Sequence, residues 1–150
     1  MKKIVVDTNI IFSCLLNSQG SIGDLVFNSQ NVFEFYSNKY MRLEISKHWN
    51  KLLKISKLPD EGLETAYDMM LTKINFINEE LIPPKDWQNA EMLTNDIDVD
   101  DTDFLALTRY LKAALWTGDK ILYTGLKEKH FKAVYNTQDM LTLRKKLSKI

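Results

Sequence analysis

Lys2-Lys-Ile-Val-Val-Asp7-Thr8-Asn9 decides how this chain folds. Ile4, Val5 and Val6 form a β-branched run with no polar residue inside it, the pattern of a strand buried on both faces. Asp7 ends the run, Thr8 and Asn9 follow, and the apolar segment 10–16 suits a helix. A carboxylate just beyond a buried strand lies where open α/β sheets build their sites, although Asp is equally at home as a helix N-cap.

Outward from that strand the pattern alternates. A short helix is expected over 24–27. Val32-Phe-Glu-Phe-Tyr36 alternates apolar and polar residues and predicts a second strand. Ser37 would cap a long helix over 38–57, whose apolar line is Met41, Ile45, Trp49 and Leu52. Glu44 lies beside that line, with Lys47, His48 and Lys51 near it. Such a face is either solvated, with ordinary Glu–Lys pairing, or an acidic edge reaching the mouth of the first strand. Spacing alone does not separate the two. Asp60 would cap a helix over 61–74, a strand is expected over 76–82, and Pro84 opens a helix over 84–93.

Asp96-Ile-Asp98-Val-Asp100-Asp101-Thr-Asp103 packs five carboxylates into eight residues. It is not a calcium loop, which needs Gly sixth and Glu twelfth; counted from Asp96 these are Asp101 and Leu107. The run leads into a nearly all-round apolar helix over 104–111, which must pack deep against a sheet. Asp101, at or beside its N-cap, is expected to be held near the interior, whereas Asp96 and Asp98 are expected to be merely solvated. A strand over 114–117 follows, and Gly118 would permit the tight turn that presents Asp119. A helix from 120 carries Leu122 and Leu126, and a last strand covers 132–135. The terminal helix from 137 sets Met140, Leu143, Leu147 and Ile150 opposite Arg144, Lys145, Lys146 and Lys149.

Alternating strands and helices predict one α/β domain over 1–150, with a mainly parallel sheet covered on both faces. Strand ends then share one edge, and Asp7 and Asp119 meet there if their strands are neighbours. The 20 basic residues balance the 20 acidic ones, so a polyanion site must rest on local patches or bound cations. Cys14, the only cysteine, excludes an intramolecular disulfide and cysteine-cluster zinc sites, and its apolar run suggests a buried small hydrophobe. No signal peptide or span of transmembrane length is visible, so a cytoplasmic protein with no membrane partner is expected.

Four acidic segments together resemble the PIN-domain family of metal-dependent ribonucleases: Val5-Val-Asp7-Thr8-Asn9, Leu43-Glu44, Asp100-Asp101-Thr-Asp103-Phe104-Leu-Ala106-Leu and Leu115-Trp-Thr117-Gly118-Asp119-Lys120. Order and spacing agree over essentially the whole chain, and the Trp-Thr-Gly-Asp turn is similar to that of VapC-type toxins. The resemblance implies a three-layer α/β/α sandwich, with Asp7, Glu44, Asp101 and Asp119 as an acidic quartet that is catalytic and binds Mg²⁺ or Mn²⁺. It implies Asn9 and Thr117 as supporting polar residues, and endonucleolytic cleavage of RNA leaving 5′-phosphate and 3′-hydroxyl ends. It also implies an antitoxin protein as partner and a homodimer. Asp103 stands where relatives often carry Pro, which leaves Asp101 and Asp103 as rivals for the third acid.

Two carboxylates about 4 Å apart repel by about 4 kcal/mol at an effective dielectric near 20, so four in one pocket call for protons or cations. An all-oxygen site without cysteine or paired histidines favours Mg²⁺ or Mn²⁺, which would activate a water for hydrolysis without a covalent intermediate. Lys47, His48, Lys51 and Lys120 are candidate RNA contacts, though such charges also serve only solubility. Two other functions compete. Phosphatase chemistry with Asp7 as nucleophile is disfavoured because Asn9 replaces the second Asp of Asp-x-Asp. A catalytically degenerate domain that binds RNA or protein is the other.

Overall fold

The chain's structure, a computed structural model, describes residues 1–56 and 58–148. The expectations for Lys57, Lys149 and Ile150 lie outside those residues. Five strands form one wholly parallel sheet in the order β3-β2-β1-β4-β5: β1 (Lys2–Val6), β2 (Phe33–Asn38), β3 (Ile74–Ile77), β4 (Ala114–Trp116) and β5 (Val134–Tyr135). Val5 pairs with Tyr36 on one side and Leu115 on the other, so β1 is the central strand and Ile4, Val5 and Val6 are wholly buried.

The first crossover contains α1 (Thr8–Leu16) and α2 (Ser21–Phe27). Gly23 lies inside α2 because a Cβ there would stand 2.1 Å from the Ser18 carbonyl oxygen. The second holds α3 (Met41–Lys47), α4 (Trp49–Ser56) and α5 (Asp60–Lys73), and the third α6 (Pro84–Thr94) and α7 (Thr102–Leu111). After β4 come α8 (Lys120–Glu128) and, beyond β5, α9 (Thr137–Leu147). Helix α7 lies against β1, β2 and β4 with α6 on its outer side, while α1, α2, α5 and α9 pack among themselves. Phe104, Leu105, Ala106 and Leu107 are all buried, as a helix apolar on every side requires. The result is the expected three-layer α/β/α sandwich. Among the described residues, no single helix is long and apolar enough to cross a membrane.

Several local expectations are corrected. Ser37 caps nothing: it sits in β2 and donates to the Val6 carbonyl at 3.0 Å, carrying the strand on to Asn38. The long helix is two, broken at His48, where φ −102° and ψ 13° leave the helical range. No Gly or Pro marks that break, and Trp49 and Leu52 stay in phase across it, so periodicity could not show it. Pro59, not Asp60, occupies the cap of α5, and Asp60 instead accepts from Trp49 Nε1 at 2.8 Å. Strand β3 ends at Ile77 because Asn78 turns the chain, its side chain capping Glu80 N–H at 3.1 Å. A short 3₁₀ turn, Glu79–Leu81, fills the rest of the predicted strand.

A candidate metal centre at the carboxyl edge of the sheet

The strand order reverses direction between β1 and β4: successive strands step away from β1 one way through β2 and β3, the other way through β4 and β5. Open α/β sheets bind ligands in the crevice at that reversal, beyond the carboxyl ends of the strands. Asp7 follows β1 there, and Asp119 follows β4.

Each carboxylate is fixed by the start of a helix. Asp7, 2% exposed, caps α1 by accepting Ile10 N–H at 3.0 Å on Oδ1, and its Oδ2 accepts the buried Thr117 hydroxyl at 2.5 Å. Asp119 caps α8, with Oδ1 accepting Ile121 N–H at 2.9 Å and Leu122 N–H at 3.2 Å. Gly118 makes the tight turn without a positive φ, so the turn does not depend on glycine's left-handed freedom; an added Cβ would merely touch Asn9 at 3.9 Å. Asn9 is exposed beside that turn.

The acidic run enters as a 3₁₀ turn, Val99–Asp101, leading into α7. Asp101 is half-buried and makes no side-chain cap bond. One carboxylate oxygen each from Asp98, Asp101 and Asp119 lie within 4.8 Å of one another. Asp98 corrects the expectation that it is simply solvated: its Oδ1 accepts Asp100 N–H at 3.0 Å, which fixes the acid in the turn beside Asp101 and Asp119. The signal for it was the short turn Asp98-Val-Asp100, where an Asx side chain closes on the backbone two residues on.

Charge accumulates accordingly. Burial, opposed by the Thr117 and Ile10 hydrogen bonds and aided by Asp119, pushes the Asp7 carboxyl from 3.8 to about 6. Burial, then the charges of Asp7, Asp98, Asp119 and Asp103, push Asp101 to about 7.

A second acidic group lies along the same edge toward β3. The Tyr40 ring packs against Phe104 at 6.1 Å, the Tyr40 backbone N–H donates to Glu79 Oε1 at 2.6 Å, and the Tyr40 hydroxyl faces Asp103. Burial, then Asp103, Glu44 and Glu79, hold that hydroxyl far above its ordinary range. Asp103 is raised by burial against the pull of Tyr40 and of Phe104 N–H. The expected quartet is therefore divided. Asp7, Asp101 and Asp119 come together, while Glu44 stands with Tyr40, its carboxylate 3.5 Å from His48 Nε2. Of the rivals, Asp101 rather than Asp103 joins Asp119. Glu79 was missed because it fell inside the strand expected over 76–82, whereas β3 ends at Ile77 and leaves it in the turn beyond.

Lys47, Lys51 and Lys120 are exposed, on α3, α4 and α8. His48 is engaged instead with Glu44 and, edge-on, with Phe12 at 6.0 Å.

The donors fit a hard divalent ion. All are carboxylate oxygens, no Cys or paired His competes, and opposite ligands of an ion bound at about 2.1 Å are about 4.2 Å apart.

No curated protein matches the chain. The structure of VapBC2 from Rickettsia felis, bound to a DNA fragment from their promoter, is similar over 89% of this chain and 98% of that one, with a TM-score of 0.62. At 14% identity the likeness extends to the fold. A family model for the PIN domain matches residues 5–141, from the middle of β1 into α9 and through every acid described above. The chain belongs to the PIN-domain family.

Proposed function

We propose that the protein is a metal-dependent endoribonuclease that hydrolyses RNA phosphodiester bonds. The observation that carries this is the meeting of Asp7, Asp101 and Asp119, with Asp98, at the reversal of strand order. Asp98, Asp101 and Asp119 would hold Mg²⁺ or Mn²⁺, with Asp7 alongside. When bound, the ion lowers the pKa of a coordinated water and offsets the charge that builds on the phosphate. Asp7, locked by Thr117 and Ile10, accepts hydrogen bonds from that side of the pocket. Glu44, on the flank, extends the acidic edge, and Asn9 borders it. Lys47, Lys51 and Lys120 reach out to the RNA backbone, which the balanced net charge would not attract by itself.

On this view the protein is the toxin of a toxin–antitoxin pair, a homodimer with an antitoxin protein as partner. Family membership and the likeness to a VapBC assembly support that view. Purified protein should cut RNA in Mg²⁺ or Mn²⁺ and stop in excess chelator; robust cleavage in chelator refutes the proposal. RNA retained without turnover in the presence of metal favours the degenerate binding domain instead. Native copurification with a small protein encoded beside it tests the partner.

A further inference from the structure

Asn38 is wholly buried, yet neither its Nδ2 nor its Oδ1 has a hydrogen-bond partner. An amide in that state is expensive: leaving a buried donor or acceptor unpaired costs about 1–3 kcal/mol. Orphans of this kind call for a specific explanation.

The register supplies one. Val5 pairs with Leu115 in β4 and with Tyr36 in β2. Two residues further on, the first pairing sets Asp7 against Thr117, and their 2.5 Å hydrogen bond bears that out. The second sets Asp7 against Asn38, the last residue of β2. Side chains two residues apart on a strand share a face. Asn38 at the end of β2 and Asp7 and Thr117 just past the ends of β1 and β4 thus fall in one row at the carboxyl edge. Thr117 satisfies Asp7 from one flank, whereas Asn38 stands on the other with its amide unused.

We infer that Asn38 is a positioning residue for cation binding, supplying from β2 the hydrogen bond that orients a hydration water of the ion beside Asp7. This rests on the metal site proposed above. Mg²⁺ and Mn²⁺ keep several waters when protein carboxylates hold them, and these need fixed partners. An amide both donates and accepts without adding charge, which suits a pocket already crowded with acids. Asn38 belongs to the sheet, so its placement needs no loop to order.

The test compares wild type with Asn38→Leu and Asn38→Ala by calorimetric Mn²⁺ titration and by thermal melting in excess chelator. Because the amide has no protein partner to lose, Asn38→Leu should melt at or above the wild-type temperature without metal. Both variants should bind Mn²⁺ at least tenfold more weakly. Affinity within twofold of wild type overturns the inference and leaves the nuclease reading standing. Loss of stability in chelator, or failure of both variants to fold, makes Asn38 a structural residue and also overturns it. Absence of Mn²⁺ binding by wild type removes both proposals together.

Discussion

Thr117 Oγ1 donates to Asp7 Oδ2 at 2.5 Å, across 110 positions of sequence, and accepts the Asp119 N–H at 3.0 Å. A hydroxyl has one proton to give, so these two bonds define its direction. One small side chain therefore joins the acid that ends β1 to the backbone of the acid that follows β4.

Thr117→Val keeps the shape and removes both bonds. It leaves a buried carboxylate oxygen short of a donor, so a loss of about 1–3 kcal/mol in urea unfolding is expected. The Asp7 carboxyl should also rise further, since the hydrogen bond that holds it down is gone. NMR titration of Asp7 reads that shift directly.

Asp119→Asn preserves the cap of α8, because Asn accepts from helix N–H groups about as well as Asp. The variant should melt near wild type in chelator yet lose RNA cleavage by at least a hundredfold. Parallel melting curves and gel assays separate folding from function. Full activity would remove Asp119 from the site.

Asp98→Asn likewise keeps an acceptor for Asp100 N–H while removing a charge from the trio. Mn²⁺ affinity should fall by about tenfold or more, as for loss of one donor from a coordinating set. Asp100→Asn, exposed and outside the trio, is the control and should stay within twofold.

Asp7 at about 6 and Asp101 at about 7 both lie above the ordinary 3.8. An acid raised by folding holds its proton more tightly in the folded state. Its contribution to stability is complete below about pH 4 and is lost as pH climbs through 6 and 7. For Asp7 alone the loss is about 3 kcal/mol, at 1.36 kcal/mol per unit. Without metal, unfolding free energy should drop from pH 4 to pH 7.5, and Asp7→Asn should flatten part of the slope. Saturating Mn²⁺ should raise the melting temperature more at pH 7.5 than at pH 5, where protons compete for the same oxygens.

The sheet was legible in the sequence wherever burial leaves a mark. The uniform run Ile4-Val-Val6 and the nearly all-round apolar stretch after Asp103 both announced buried elements, and Ile4–Val6 and Phe104–Leu107 lie in the core. Asp7 and Asp119 could be read because each follows such a strand. Glu44 could not be placed, since its helix is broken at a position with no breaker residue. Asp98 was hidden by its neighbours: five acids in a row look alike until a local backbone bond picks one out. Asn38 was invisible for a plainer reason. A strand predicted to end at Tyr36 gives no face on which to count it.

Helix α8 is capped at its start by Asp119 and at its end, ten residues on, by Lys129, which reaches the far side of the acidic run. The Lys129 ammonium bonds the Leu93 carbonyl at 2.9 Å and pairs with Asp96. Between the two ends, Ile97 rests on Gly125, where an added Cβ would stand 2.6 Å from its Cδ1. The loop that carries Asp98 and Asp101 is thus strapped to the same rod that carries Asp119. The distance from Asp119 to Asp98 and Asp101 is set by one rigid body, so sliding α8 by a single turn would carry Asp119 away from the other two.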